Sequence, residues 1–196
     1  MKHIYKFNGF TPAVHPSSFV HDLACIIGNV EIGKDVYIAP GAVIRGDWGR
    51  IVVEDGCNIQ ENCVIHMFPG KTVFLKKGAH IGHGAIIHGA NIGANSLVGM
   101  NAVIMDEVEL GPECIVGALS FLPAKMKVPK RKVVVGNPAV IKKDVSDEMM
   151  KWKTEGTKLY QQLPKELMHN LERISPLKSP PKFKKDQMES YRFWEG

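Results

Sequence analysis

Asn91 to Leu122 reads NIGANSLVGMNAVIMDEVELGPECIVGALSFL, and in it an aliphatic side chain falls on every sixth residue: Ile92, Val98, Ile104, Leu110, Val116 and Leu122. Four residues after each of the first five comes a small or β-branched one: Ser96, Ala102, Val108, Cys114 and Ser120. An amphipathic helix repeats every 3.6 residues and a half-buried strand every two, so neither alone produces this spacing. The same register extends back through Val20, Ile26, Ile32, Ile38 and Ile44, is interrupted at WGRIV, and resumes with Val53, Ile59 and Ile65. It breaks at MFPGKTVF, restarts at Leu75, Ile81 and Ile87, and drops one residue before Ile92. Two inward positions per hexad therefore recur from Val20 to Leu122, and a repeat of this kind sets the whole architecture. Cys57, Cys63 and Cys114 occupy the small inward position, which reads as buried core thiols; with no CxxC spacing, the four cysteines offer neither a zinc knuckle nor a redox pair.

After Leu122 the pattern gives way to PAKMKVPKRKVVVGNPAVIKK, a Pro- and Lys-rich connector with one short apolar strand, Val133 to Val135. Next, Ser146 or Asp147 offers a helix cap, acidic residues follow in the first turn, and Met149, Trp152, Leu159 and Leu163 supply apolar positions for one or two helices meeting at Pro164. Three segments are expected: 1–142, the repeat domain with an N-terminal cap and closing connector; 143–174, helical; and 175–196, an extended basic, Pro-rich tail whose Phe183, Tyr191, Phe193 and Trp194 could dock elsewhere. The 196 residues suffice for one core and an appendage. No run is long and apolar enough to span a membrane and the start lacks signal-peptide character, so a cytoplasmic protein is expected. The net charge of +5 is concentrated late, in AKMKVPKRK and KSPPKFKK. Such runs suit a small anionic ligand such as coenzyme A better than a nucleic acid, since no nucleic-acid motif or aromatic platform accompanies them.

The hexad pattern resembles the hexapeptide-repeat family, which implies an all-β core folded as a left-handed parallel β-helix, with the C-terminal α-helix outside it. Three hexads make one coil in that fold, and aliphatics stack at its interior. On such a prism His66, after Ile65, and His88, after Ile87, fall on the same corner of successive coils, about 4.8 Å apart. Two such imidazoles can share one divalent ion. His83 belongs to another face, so a three-histidine site requires a second prism. Arg45 shares the column of His66 and His88, and Gln60 shares that of His83. His3, His15, His21 and His169 read as solvated, and His80 as structural.

The stretches RGDWGRIVVEDGCNIQENCVIH and HIGHGAIIHG resemble the γ-class carbonic anhydrase family. Together with WKTEGTKLYQQL, their spacing is closest to its subgroup of phenylacetic acid degradation (PaaY) and carnitine operon (CaiE) proteins. The resemblance implies a homotrimer with a metal ion at each interface, held by His66 and His88 of one subunit and His83 of its neighbour. It assigns Arg45 and Asp47 to an interface ion pair and places Gln60 near the metal-bound water. Archaeal-type members carry a glutamate and an acidic loop for proton export where this chain has Trp48 and MFPGKTVF. Slow carbon dioxide hydration is therefore expected, with Met67, Phe68 and Pro69 as pocket wall.

Three neutral imidazoles leave zinc an open position and bring a bound water toward a pKa of ~7; iron or cobalt would also accept these ligands. The expected activity is metal-dependent hydrolysis of an acyl-CoA thioester of the hydroxyphenylacetyl type, with Gln60 orienting hydroxide. Carbon dioxide hydration is the runner-up. A hexapeptide acyltransferase, suggested by VVVGNPAV, and a non-catalytic trimeric scaffold stapled by metal are the other readings.

Overall fold

The computed structural model describes residues 3–180. The chain winds as a left-handed parallel β-helix of about seven coils, closed by one helix. One face of the triangular prism stacks Phe19–Val20, Tyr37–Ile38, Asn58–Ile59, His80–Ile81, Leu97–Val98, Ile115–Val116 and Lys132–Gly136. The second holds His3–Tyr5, the first halves of Cys25–Ile32 and Val43–Val53, then Val64–His66, Ile86–His88, Val103–Ile104 and Phe121–Leu122. The third takes Ala13–Val14, the second halves of the same two long strands, then Thr72–Leu75, Asn91–Ile92, Glu109–Leu110 and Lys127–Val128.

The hexad aliphatics are the rungs of this core. Ile26, Ile44, Ile65, Ile87, Ile104 and Leu122 follow one another in parallel register on the second face, all without solvent exposure. Each fully buried rung contributes roughly 1.5–3 kcal/mol of hydrophobic stabilisation. The small inward residues line the corners, where the preceding residue must take a positive φ: Asn62 before Cys63, Gly84 before Ala85, Asn101 before Ala102. Gly and Asn tolerate that conformation best, which is why they punctuate the repeat.

The repeat runs one coil beyond Leu122. Val128 pairs with Leu110 and Val134 with Val116, both buried, so the six-residue spacing continues through the Lys-rich connector. Prolines and lysines on the outside mask an unchanged interior. Lys132–Gly136 then pairs antiparallel with Ala139–Asp144 and ends the stack.

The helix is a single element, Asp147–Asn170, and passes through Pro164 without dividing. Ser146 is its cap, accepting from the Met149 N–H at 3.2 Å. It lies on the first face, against Phe19–Val20, Tyr37–Ile38 and Asn58–Ile59. Its buried residues are Met149, Met150, Lys153, Thr157 and Pro164; Trp152, Leu159 and Leu163 are only partly covered. Two polar residues occupy the inward stripe because the face beneath presents Gly78, Asn95 and His80. The tail aromatics Phe183, Tyr191, Phe193 and Trp194 lie outside the described residues.

Candidate metal centre

Parallel register puts His66 opposite His88, and Ile44 opposite Ile65 sets Arg45 one coil behind His66. Nδ1 of His66 stands 3.2 Å from Nε2 of His88. The other nitrogen of each ring faces a carboxylate: His66 Nε2 is 3.0 Å from Asp47 Oδ1, and His88 Nδ1 is 2.7 Å from Asp106 Oδ1. Each neutral imidazole carries one N–H, which these carboxylates claim. The facing nitrogens, His66 Nδ1 and His88 Nε2, are thus both left as acceptors. Two lone pairs at that distance call for an electrophile near both. Their separation also approximates the edge of a tetrahedron with ~2.1 Å metal–nitrogen bonds, about 3.4 Å. The donor set fits a divalent ion.

Asp47 is placed by an unusual piece of strand. Val43–Val53 turns the corner without the usual left-handed residue, and a Cβ on Gly28 would collide with the Gly46 carbonyl, so the bare backbones approach closely there. Asp47 binds Arg45 Nη1 at 2.5 Å through Oδ2 while Oδ1 takes His66. Burial raises its pKa, but hydrogen bonds from Arg45 and His66 and the Arg45 charge outweigh this and hold it below the ordinary range. Burial lowers the His66 pKa, and this outweighs the pull of Asp47. Both shifts favour the carboxylate and neutral imidazole that ligation needs.

His83 sits at the corner between the first and second faces. Its Nδ1 is 2.5 Å from Glu61 Oε2, and its backbone N–H donates to Gln60 Oε1 at 3.2 Å. The His83 side chain is about half exposed. Among the described residues of one chain, no three or more His, Cys, Asp or Glu side chains are grouped to hold a metal ion. His66 and His88 therefore form a pair, and His83 stands apart from it.

The family profile for bacterial transferase hexapeptide (six repeats) matches residues 12–46 and 89–124. The chain is 45% identical over 177 residues to the carnitine operon protein CaiE of Proteus sp. (strain LE138), covering 90% of each sequence. The chain is a hexapeptide-repeat protein of the CaiE family. Two solved structures share its shape: a Bacillus cereus protein provisionally assigned as an acetyltransferase (28% identity, TM-score 0.83, 85% of this chain and 96% of that one), and a hexapeptide transferase family protein from Anaplasma phagocytophilum (30% identity, TM-score 0.80, 84% and 97%).

Within this CaiE-family chain the site differs from its sequence reading in three ways. Met67 is not a pocket wall: it is fully buried in the prism core, and a Cβ on Gly49 would crowd its sulfur. Trp48 and Phe68 are the exposed aromatics, with ring centroids 5.4 Å from His66 and 5.0 Å from His88. Gln60 is buried, and its amide is engaged by Asn58, His80 and the His83 backbone. Asp106 and Glu61 were not singled out as partners of His88 and His83. The repeat contained a signal for both: Asp106 lies two residues past Ile104 and so one coil on from His88, and Glu61 follows Gln60 one coil before His83. No helix among the described residues is long and apolar enough to cross a membrane.

Proposed function

We propose that the chain is a metal-dependent hydrolase of aryl-CoA thioesters, active as a homotrimer and placed in the cytoplasm. The observation that carries this reading is the pair of facing acceptor nitrogens, His66 Nδ1 and His88 Nε2, each ring anchored by its own carboxylate. His66 and His88 of one copy and His83 of a second would hold the ion, zinc or alternatively iron or cobalt. When bound, such an ion supplies Lewis acidity and a water acidic enough to ionise near neutral pH. The chain's own residues do the rest. Asp47 and Asp106 hold their imidazoles in the ligating tautomer, and Glu61 does the same for His83. Arg45 neutralises Asp47. Trp48 and Phe68 offer aromatic walls to an aryl acyl group beside the two rings and keep water from it. Gln60 acts by fixing the His83 backbone rather than by presenting a free amide.

The trimer draws support from the outside of the second face. Val43, Val64, Ile86, Val103 and Phe121 point outward in continuous register, an apolar ladder beside the histidine column that is exposed or half-buried among the described residues. Val64 and Ile86 are each 38% exposed. A second copy seated there would bury the ladder and bring a third histidine.

The transferase names of the two solved relatives favour a second reading, acyl transfer from coenzyme A to an acceptor other than water. Carbon dioxide hydration is a third possibility, using the same ligands. One experiment separates them: protein loaded in turn with zinc, cobalt or iron, assayed for free thiol release from aryl-CoA thioesters, with and without amine or alcohol acceptors, and for bicarbonate formation. Metal-dependent thiol release without an acceptor supports hydrolysis. Release only with an acceptor supports transfer and overturns the proposal. Rapid hydration with no thioester turnover also overturns it.

A further inference from the structure

Under the helix a chain of polar groups reaches the His83 backbone, while Glu61 meets its side chain. Its proton arrangement can be read from one end. The backbone N–H of His83 can only donate, so the Gln60 atom 3.2 Å away is its oxygen, and this decides which end of the buried amide is which. The Gln60 NH₂ then faces Asn58 Oδ1 at 2.9 Å and His80 Nε2 at 2.6 Å, both of which must accept. His80 therefore carries its proton on Nδ1, which faces Thr157 Oγ1 of the helix at 3.4 Å. Tyr160, one helical turn on, stands edge-on to the His80 ring with centroids 5.0 Å apart. Asn58, Gln60 and Thr157 are all buried. A flipped Gln60 amide would set donor against donor at the His83 backbone from a buried side chain.

We infer that His80 is a positioning residue: seated between Thr157 and the Gln60 amide, it holds that amide in the one orientation that receives the His83 N–H, so the helix fixes the backbone from which His83 is presented. Protonation at Nε2 would break the arrangement. Burial, helped by Lys153 and His83, pushes the His80 pKa down to about 3, which keeps the ring neutral through the ordinary working range. The consequence for metal binding rests on the proposed metal centre. The link from helix to His83 does not.

The test is amide hydrogen exchange at His83, followed by NMR on the full-length, metal-free protein. The reference is the Gly99 N–H, which bonds the Val116 carbonyl at 2.9 Å elsewhere on the first face. His80→Phe removes both ring nitrogens and should speed exchange at His83 about tenfold relative to Gly99, the size expected for one lost buried hydrogen bond. His80→Gln puts an amide oxygen near the Nε2 position and should return the ratio to within about threefold of wild type. Thr157→Val keeps the shape of the side chain, removes the acceptor and should raise the ratio about threefold or more. An unchanged ratio in His80→Phe overturns the inference, as does an equal rise at Gly99 in every variant. If His80→Phe does not fold, a wild-type ratio in Thr157→Val overturns it. A cobalt(II) titration of the wild-type protein separates the two readings: absence of binding removes the metal centre and leaves the exchange result standing.

Discussion

The first and second faces of the prism share the same interior and have opposite exteriors. Inside, both are ladders of Ile, Val and Leu with almost no exposure. Outside, the first presents Tyr37, Asn58 and His80 along its middle coils and is covered by the helix; the second presents Val43, Val64, Ile86, Val103 and Phe121 and, among the described residues, has no helix packed on it. Among the described residues the helix is spent on the more polar face, which leaves the apolar face for something else. The helix accordingly carries polar groups inward, Lys153 to the Gly78 carbonyl and Asn95, and Thr157 to His80. The second face carries His66 and His88 at its edge. Under the proposed function, one face is finished within the chain and the other only by a second copy.

The largest expected effect attacks the second face at its histidines. His66→Ala and His88→Ala should each lose stoichiometric metal binding, seen by elemental analysis after gel filtration, with affinity reduced more than the ~10–100-fold typical of supporting residues. His83→Ala should do the same although it lies on another face. Mixing His83→Ala chains with His88→Ala chains should restore metal at a fraction of interfaces. Mixed trimers that regain none would break the shared-site idea while leaving the pair itself intact.

Next in size is the ladder. Val64→Glu or Ile86→Glu puts a charge on a position that is 38% exposed in one chain and would be buried in a trimer. Either should convert trimer to monomer by sedimentation equilibrium, with far-ultraviolet circular dichroism unchanged. Val52→Glu, on the third face between Glu31 and Phe74, should leave the association state alone. Trimers that persist in both ladder variants would place the subunit contact elsewhere.

This contrast also explains what the sequence could and could not reveal. Interior rungs obey a rigid period, so the six-residue repeat was legible from spacing, and the coil geometry implied by the resemblance to the hexapeptide-repeat family then paired His66 with His88. The coil holding Val128 and Val134 kept that period, yet its exterior of lysine and proline hid it. Met67 was misplaced because the interruption at MFPGKTVF suspends the register, and an apolar residue there has no assigned side. Lys153 and Thr157 were missed for a different reason: a helix is ordinarily docked by apolar residues, as Met149 and Met150 do here on Ile115 and Val133, but the next part of the receiving surface is polar. Asp106 and Glu61 required counting coils for acids as well as for histidines.

A smaller effect belongs to the covered face. Burial pushes Lys153 down to about 7 from an ordinary 10.5, against weaker pulls upward from Cys57 and Glu113. Between those values the unfolded chain holds a proton that the folded chain has released, so this residue makes stability rise with pH from about 7 to 10.5; below 7 both states are charged and the penalty is constant. Lys153→Met should flatten the curve across that window by on the order of 5 kcal/mol, measured by urea unfolding at several pH values. Parallel curves for variant and wild type would mean that the buried amine keeps its proton, held by Gly78 and Asn95.

The smallest effect returns to the edge of the second face and asks how much the carboxylates contribute beyond orientation. Asp106→Asn can still accept the His88 Nδ1–H through its amide oxygen, so the tautomer survives and Nε2 still faces His66. What disappears is the negative charge that makes the imidazole a better donor. Asp106→Leu removes the acceptor too, freeing the ring to rotate or to carry its proton on Nε2. Metal affinity should therefore fall in two steps, by about tenfold in Asp106→Asn and toward 100-fold in Asp106→Leu, read by competition with a chromophoric chelator. Equal losses would assign the whole effect to charge, and a loss confined to Asp106→Leu would assign it to orientation alone. No loss in either would mean that packing of Phe68 against His88 already holds the ring.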